Sequence, residues 1–137
     1  MTTYYVKNGG SNTNTGLSDS QAWATLSRIA SESLSPGDIV CLKRGSTWDE
    51  ELTLTYSGTS GNYITITDYD EGDLPQISNS DTVGEDVVIN ADYVIVENLL
   101  LDTASRRGVY IEGTGSDHNI IRNCEITDVG NGIRIEG

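Results

Sequence analysis

Basic residues are scarce: eight Lys and Arg stand against 21 Asp and Glu, a formal charge of −13. That balance excludes nucleic acid as a partner, because no basic patch is there to displace counterions from phosphates. It also repels anionic membranes and polyanionic sugars unless a divalent cation mediates the contact. Two cysteines, Cys41 and Cys124, are too few for a disulfide framework and read as buried free thiols. No apolar run approaches the ~18 residues of a membrane span. The first ten residues, MTTYYVKNGG, lack the basic start and apolar centre of a signal peptide. A secreted chain whose signal has been removed, a cytoplasmic protein and a virion part all fit that observation. Phe is absent and Met occurs once, whereas Gly (15), Tyr (seven), Thr, Ile, Val, Asn and Asp are abundant. This composition favours β structure, and 137 residues predict a single domain able to bury one core.

One helix is predicted, at about 20–34 in SDSQAWATLSRIASESLSPGD. Asp19 or Ser20 supplies its N-cap, Trp23, Leu26, Ile29 and Ala30 share a face, and Ser35-Pro36-Gly37 stops it. From Asp38 onward the chain reads as short strands between polar turns, beginning with DIVCLK (38–43) and ELTLT (51–55). NYITIT (62–67) then returns as DYVIVE (92–97), and VENLLLD (96–102) as IRNCEIT (121–127). In the second pair Asn98 matches Asn123, Leu99 matches Cys124 and Leu101 matches Ile126. GVYIEG (108–113) returns as GIRIEG (132–137), which sets Val87 and Ile89 in line with Val109 and Ile111, then with Ile133 and Ile135. A period of 22 to 25 residues containing about three short strands is the pattern of a β-solenoid. Each coil stacks on the last at about 4.8 Å, with like residues in ladders and Asn98 over Asn123 at a turn. A β-sandwich does not account for three strand pairs recurring in the same order. Leucine-rich repeats need a helix per repeat and a Leu spacing that are missing here. The predicted fold is all-β, a right-handed parallel β-helix with an N-terminal capping α-helix. Residues 1–37 form the cap and 38–137 about four coils.

The first half also resembles a known unit. TYYVKNGGSNTNTGLSDSQAWATLSRIA, LSPGDIVCLKRGSTW and SGTSGNYITITDYDEGDLPQI are similar to the N-terminal region of the right-handed parallel β-helix proteins. These are the pectate-lyase-like group of polysaccharide lyases, uncharacterised secreted proteins and phage tail proteins. The resemblance implies a capping segment followed by the first coils, in an extracellular or virion-associated setting. It is specific for fold and weak for function, because this scaffold hosts lyases, hydrolases, isomerases and inert adhesins. The enzymes of the group carry more coils, with a catalytic Lys or Arg and calcium-binding acids on central ones. Here the only lysines, Lys7 and Lys43, fall in the capping region, so the catalytic residues are unknown from sequence.

Candidate binding residues come from the repeat itself. Alternation turns Tyr110 and Arg134 outward on neighbouring coils, a ring beside a guanidinium that suits a sugar. Arg106 and Arg107 at a turn offer partners for carboxylates. Glu112 and Glu136 should stack, with Asn90 completing the ladder. Adjacent carboxylates repel, and three resolutions are open: splaying into water, pairing with Arg106, Arg107 or Arg134, or sharing Ca²⁺. A second acidic group, Asp68, Asp70 and Asp73 with Glu71 around Gly72, resembles a calcium loop but lacks EF-hand spacing. His118, the one histidine, matches Tyr93 a coil earlier and has no partner for a triad. Two functions follow as expectations: a carbohydrate-associated protein, part of a polysaccharide lyase or binder, or a non-catalytic filament, fibre or adhesin module. A β-helix ending at GIRIEG presents an open edge, from which self-association is expected if the chain is whole.

Overall fold

The computed structural model describes residues 1–113 and 115–136. The closing Gly137 of the second hexapeptide and Thr114 of the turn before His118 lie outside the described residues. Among the described residues, thirteen short strands form three parallel sheets wound about one core. The first sheet contains β1 (Thr3–Val6), β2 (Ile39–Lys43), β5 (Ile64–Tyr69), β8 (Val94–Glu97) and β11 (Ile120–Arg122) in that spatial order. The second stacks β3 (Thr47–Asp49), β6 (Gln76–Asn79), β9 (Leu100–Ala104) and β12 (Glu125–Thr127). The third stacks β4 (Leu52–Leu54), β7 (Glu85–Ile89), β10 (Arg107–Ile111) and β13 (Asn131–Ile135). Each coil therefore takes one strand from each sheet, which makes a parallel β-helix of about four coils.

The register is the one the repeats predict. Ile64 and Ile66 lie beside Val94 and Val96, Leu101 beside Ile126, and Val87–Val109–Ile133 and Ile89–Ile111–Ile135 form continuous rows. These inward aliphatic rows, with Leu52, Leu54, Ile77 and Leu99, make the core. Alternation along a strand produces this directly, since every second side chain points to the same face. Ile133 and Ile135 continue the rows but are 48% and 71% exposed, because no described strand lies beyond β13. Cys41 is buried and Cys124 half-buried, and both are free thiols. Burial, aided by the Asp68 charge, pushes the Cys41 thiol up to about 11, so it stays protonated and packs as a small apolar group.

The cap departs from the predicted helix over 20–34. A single 3₁₀ turn covers Asp19–Gln21, and the α-helix, α1, runs only from Leu26 to Ser31. Ala22 to Thr25 are pulled out of helical conformation by the sheet. Trp23 bridges in parallel to Val6, its amide donating to the Tyr5 carbonyl and its carbonyl accepting from the Lys7 amide. Tertiary pairing thus overrides local helix propensity. Thr25, with no side-chain cap bond, replaces Asp19 or Ser20 as the N-cap. Leu26 and Ile29 are buried as expected, whereas Ala30 is exposed. Trp23 nonetheless anchors the cap: it stacks on Tyr4 at 4.8 Å, lies under the Arg28 guanidinium at 4.2 Å, and donates from its indole to the Asn14 carbonyl.

The turn after the first-sheet strands needs left-handed backbone. Asn98 has φ +59° and Asn123 φ +52°, and Asn tolerates this region better than other non-glycine residues. The two stack as predicted, but the amide bond runs the other way along the ladder. Asn98 Nδ2 donates to Asp68 Oδ1 at 2.9 Å, on the preceding coil. Asn98→Ala should therefore cost about 1–2 kcal/mol from backbone strain alone. Asn98→Gly should recover that part and leave only the lost hydrogen bond, a difference readable from urea midpoints.

Candidate functional site

The residues singled out by the hexapeptides do meet. Tyr110 lies between Val88 and Arg134 in adjacent strands. Its hydroxyl donates to Glu136 Oε2 at 2.6 Å, and Arg134 Nε donates to Glu136 Oε1 at 2.6 Å. These contacts favour the ionised carboxylate and hold Glu136 below the usual range, the Tyr110 hydrogen bond contributing most. Glu136 is thus paired with Arg134 and Tyr110, the second of the three resolutions, while Glu112 has no side-chain hydrogen bond or ion pair among the described residues. The Arg107 guanidinium sits over the Tyr110 ring at 4.3 Å, so one face of that ring is covered by the protein itself.

Arg107 is not a surface arginine. It is buried inside β10 and pairs with Glu85 at 2.6 Å, while exposed Arg106 approaches the same carboxylate oxygen at 3.6 Å. Asp68 is committed as well: Arg44 Nε donates to it at 2.6 Å and Asn98 at 2.9 Å. Burial raises its pKa, but these donors outweigh burial and leave it lowered. Asp70 lies 3.3 Å from Lys43, and Asp73 sits on the exposed loop before β6. No group of three or more His, Cys, Asp or Glu side chains is placed to hold a metal ion among the described residues. Lys7 and Lys43 both bind Asp19, at 2.9 and 2.8 Å, and Tyr69 donates to it too. The lysines therefore tie the 3₁₀ turn to β1 and β2. His118 stacks on Tyr93 at 4.5 Å, and Tyr93 meets Tyr63 edge-on at 5.4 Å. One face of the Tyr93 ring is thus covered by His118, which is itself exposed.

An open concavity lies on a different face, the outer side of β3–β6–β9–β12; a further depression of about 490 Å³ lies over Asp49–Glu51 and Asn79–Gly84. Trp48, Ile77, Leu101 and Ile126 point inward from these strands, so their neighbours point out. One outward row reads Thr47, Gln76, Leu100, Glu125, and the next reads Asp49, Ser78, Asp102, Thr127. A cleft of about 370 Å³ spans the first row, with Ser46 and the Asp73–Leu74 loop at its lip. A depression of about 310 Å³ continues from Thr47 and Gln76 over Ser78 toward Ser80 and Thr103. Gln76 Nε2 donates to Ser78 and to Asp102, Thr127 donates to Asp102, and the Ser80 hydroxyl and amide both donate to Asp49. Those two Ser80 bonds hold Asp49 below the usual carboxylate range. The strands of this face thus present oriented hydroxyls, an amide and carboxylates around Leu100, with Leu74 at the lip. Sequence reading missed it because its residues share no chemistry from one coil to the next. The only signal was their outward parity beside the inward Ile77, Leu101 and Ile126.

No family model and no curated protein matches the sequence. Solved structures do match. The GH136 lacto-N-biosidase from Eubacterium ramulus superposes with a TM-score of 0.86 and 24% identity, over 96% of this chain and 28% of that one, as its selenomethionine derivative. The native form of that protein has a TM-score of 0.71 and 20% identity, covering 98% and 33% of the two chains. A rhamnogalacturonan lyase has a TM-score of 0.73 and 15% identity, covering 93% and 38%. The chain spans about a third of the length of these structures. The likeness, at 24% identity or below, is one of backbone path, and by fold this chain is one of the parallel β-helix proteins.

Proposed function

We propose that the chain is a carbohydrate-associated β-helix segment whose sugar-contacting surface is the cleft over Thr47, Gln76, Leu100 and Glu125. The observation that carries this reading is the cleft itself. Its volume, about 370 Å³, falls in the ~300–1,000 Å³ range of ligand pockets. Its lining combines two leucines, Leu74 and Leu100, with hydroxyl, amide and carboxylate groups that match sugar hydroxyls. Two of the similar folds are named as a lacto-N-biosidase and a rhamnogalacturonan lyase, which places carbohydrate chemistry on related scaffolds. A lyase-like catalytic role finds no support in the lysines, since both are bound to Asp19.

Calorimetric titration with oligosaccharides tests the site. Thr47 is exposed, so Thr47→Trp should fold normally, fill the cleft and weaken binding at least about tenfold, a loss of ~1.4 kcal/mol. Tyr110→Ala should leave binding unchanged. The opposite pattern would move the sugar site to the Tyr110–Arg134 face.

A second reading, a structural module that self-associates, is favoured by one observation. β11, β12 and β13 each have a single strand neighbour among the described residues, and Ile133 and Ile135 are exposed there. Such an edge pairs readily with another strand. Association that rises with concentration in sedimentation, and that Ile135→Lys weakens, is the expected result for this reading. A monomer at all concentrations would retire it.

A further inference from the structure

The charges around the cleft narrow what it can accept. The cleft itself is lined by Asp73 and Glu125, the neighbouring outward row adds Asp49 and Asp102, and neither row carries Lys or Arg. The basic side chain in the adjoining turn, Arg44, is taken up by Asp68 and by the Gly72 carbonyl. Lys43 is taken up by Asp19 and Asp70. Asp49 is held ionised by the two Ser80 donors, and Asp73 and Glu125 are exposed. A carboxylated sugar entering here would meet like charges and find no guanidinium or ammonium to pair with. Neutral sugar hydroxyls meet acceptors in those same carboxylates, in Ser46 and Thr47 hydroxyls and in the Gln76 amide. The rows also run in one direction: each coil contributes one residue to each row, at about 4.8 Å per coil, which is the scale of one sugar unit along a glycan.

We infer that the cleft takes an uncharged glycan laid along the solenoid axis, about one sugar unit per coil, and rejects polyuronates. This rests on the cleft being a sugar site and adds the class of sugar. It also separates this surface from uronate β-elimination, which needs the very carboxylate that the surface repels.

The test uses the whole chain and four probes: cellohexaose, mannohexaose, hexa-N-acetylchitohexaose and hexagalacturonate. Calorimetry is run in low salt, with chelator and again with calcium. At least one neutral hexasaccharide should bind and lose affinity in Thr47→Trp, while hexagalacturonate binds at least about a hundredfold more weakly. The exposed pair Asp73→Lys/Glu125→Lys should gain hexagalacturonate binding that fades in high salt. Hexagalacturonate binding that Thr47→Trp abolishes, with or without calcium, overturns the inference and leaves the cleft a sugar site. Silence of all four probes removes the cleft as a sugar site, and the inference with it.

Discussion

Asp86→Asn is expected to be more stable than the parent protein at pH 8, with the advantage vanishing as pH falls toward 4. Asp86 lies in β7, the strand between β4 and β10, and is 0% exposed. Neither carboxylate oxygen has a hydrogen-bond partner among the described residues. Burial raises its pKa to about 7 from 3.8, reinforced by Asp102 of β9 and Asp49 of β3; only the nearby Asn79 backbone amide, which does not complete a hydrogen bond to it, acts against them. The Glu85–Arg107 pair flanks the same position along and across the strands. Because the folded state holds this proton more tightly than the unfolded chain, stability is full below 3.8. It falls as pH rises, and the whole penalty is in place above about 7. At about 1.36 kcal/mol per pKa unit, the displacement amounts to about 4 kcal/mol at pH 8, an upper figure. The carboxamide cannot ionise, so its stability should be flat over the same window. Urea unfolding of both proteins at several pH values, at constant m-value, reads this directly. A parent protein equally stable at pH 5 and pH 8 would show that Asp86 is not the buried neutral acid described.

Arg107→Ala is expected to destabilise the protein by about 3–5 kcal/mol, because it strands the Glu85 carboxylate in a site sealed from water. The pair is short, 2.6 Å, and about 10% of either side chain is exposed. The Tyr110 ring under the guanidinium at 4.3 Å adds a contact that alanine also loses. Glu85→Leu/Arg107→Leu should regain most of the loss, since replacing both charges removes the desolvation cost as well as the attraction. Equilibrium unfolding of the two single variants and the double variant isolates the coupling. A loss below about 1 kcal/mol for Arg107→Ala, on the scale of exposed ion pairs, would mean that Arg106, 3.6 Å from the same oxygen, takes over.

Both effects arise at one corner, where β7 and β10 turn in from their preceding loops, and alternation failed to foresee it. Read as a simple strand, Glu85, Val87 and Ile89 face in and Asp86 and Val88 face out. Every residue of β7 is nevertheless buried. Asn79 closes over the corner by donating to the Glu85 carbonyl, and the Gly84 backbone packs against the Asn79 side chain. The Asn79 contacts close the turn between β6 and β7 within one coil, whereas the Glu85–Arg107 pair joins two coils, and alternation along a single strand records neither.

The helix limits differ for the same reason. AWATL has the spacing of an amphipathic helix, yet Trp23 is worth more as a strand partner for Val6, stacked on Tyr4, than as part of a longer helix. The first coil was also partly hidden. Leu54 stands beside Ile89 across 35 positions, against 22 for Ile89 and Ile111, because the loops between coils differ in length. β3 and β6 passed unnamed in the sequence for that reason.

By itself the sequence determined the parallel β-helix, the register of its later coils, the inward aliphatic rows and the acidic character that disfavours polyanions. These follow from periodicity and composition, which act locally or additively and so survive in one dimension. Only the tertiary structure decided which outward residues share a surface. It brought Thr47, Gln76, Leu100 and Glu125 into one cleft, committed Arg107 and Asp68 to internal partners, and sealed Asp86 away from water. Each of those outcomes depends on distances between coils, and stacking sets them.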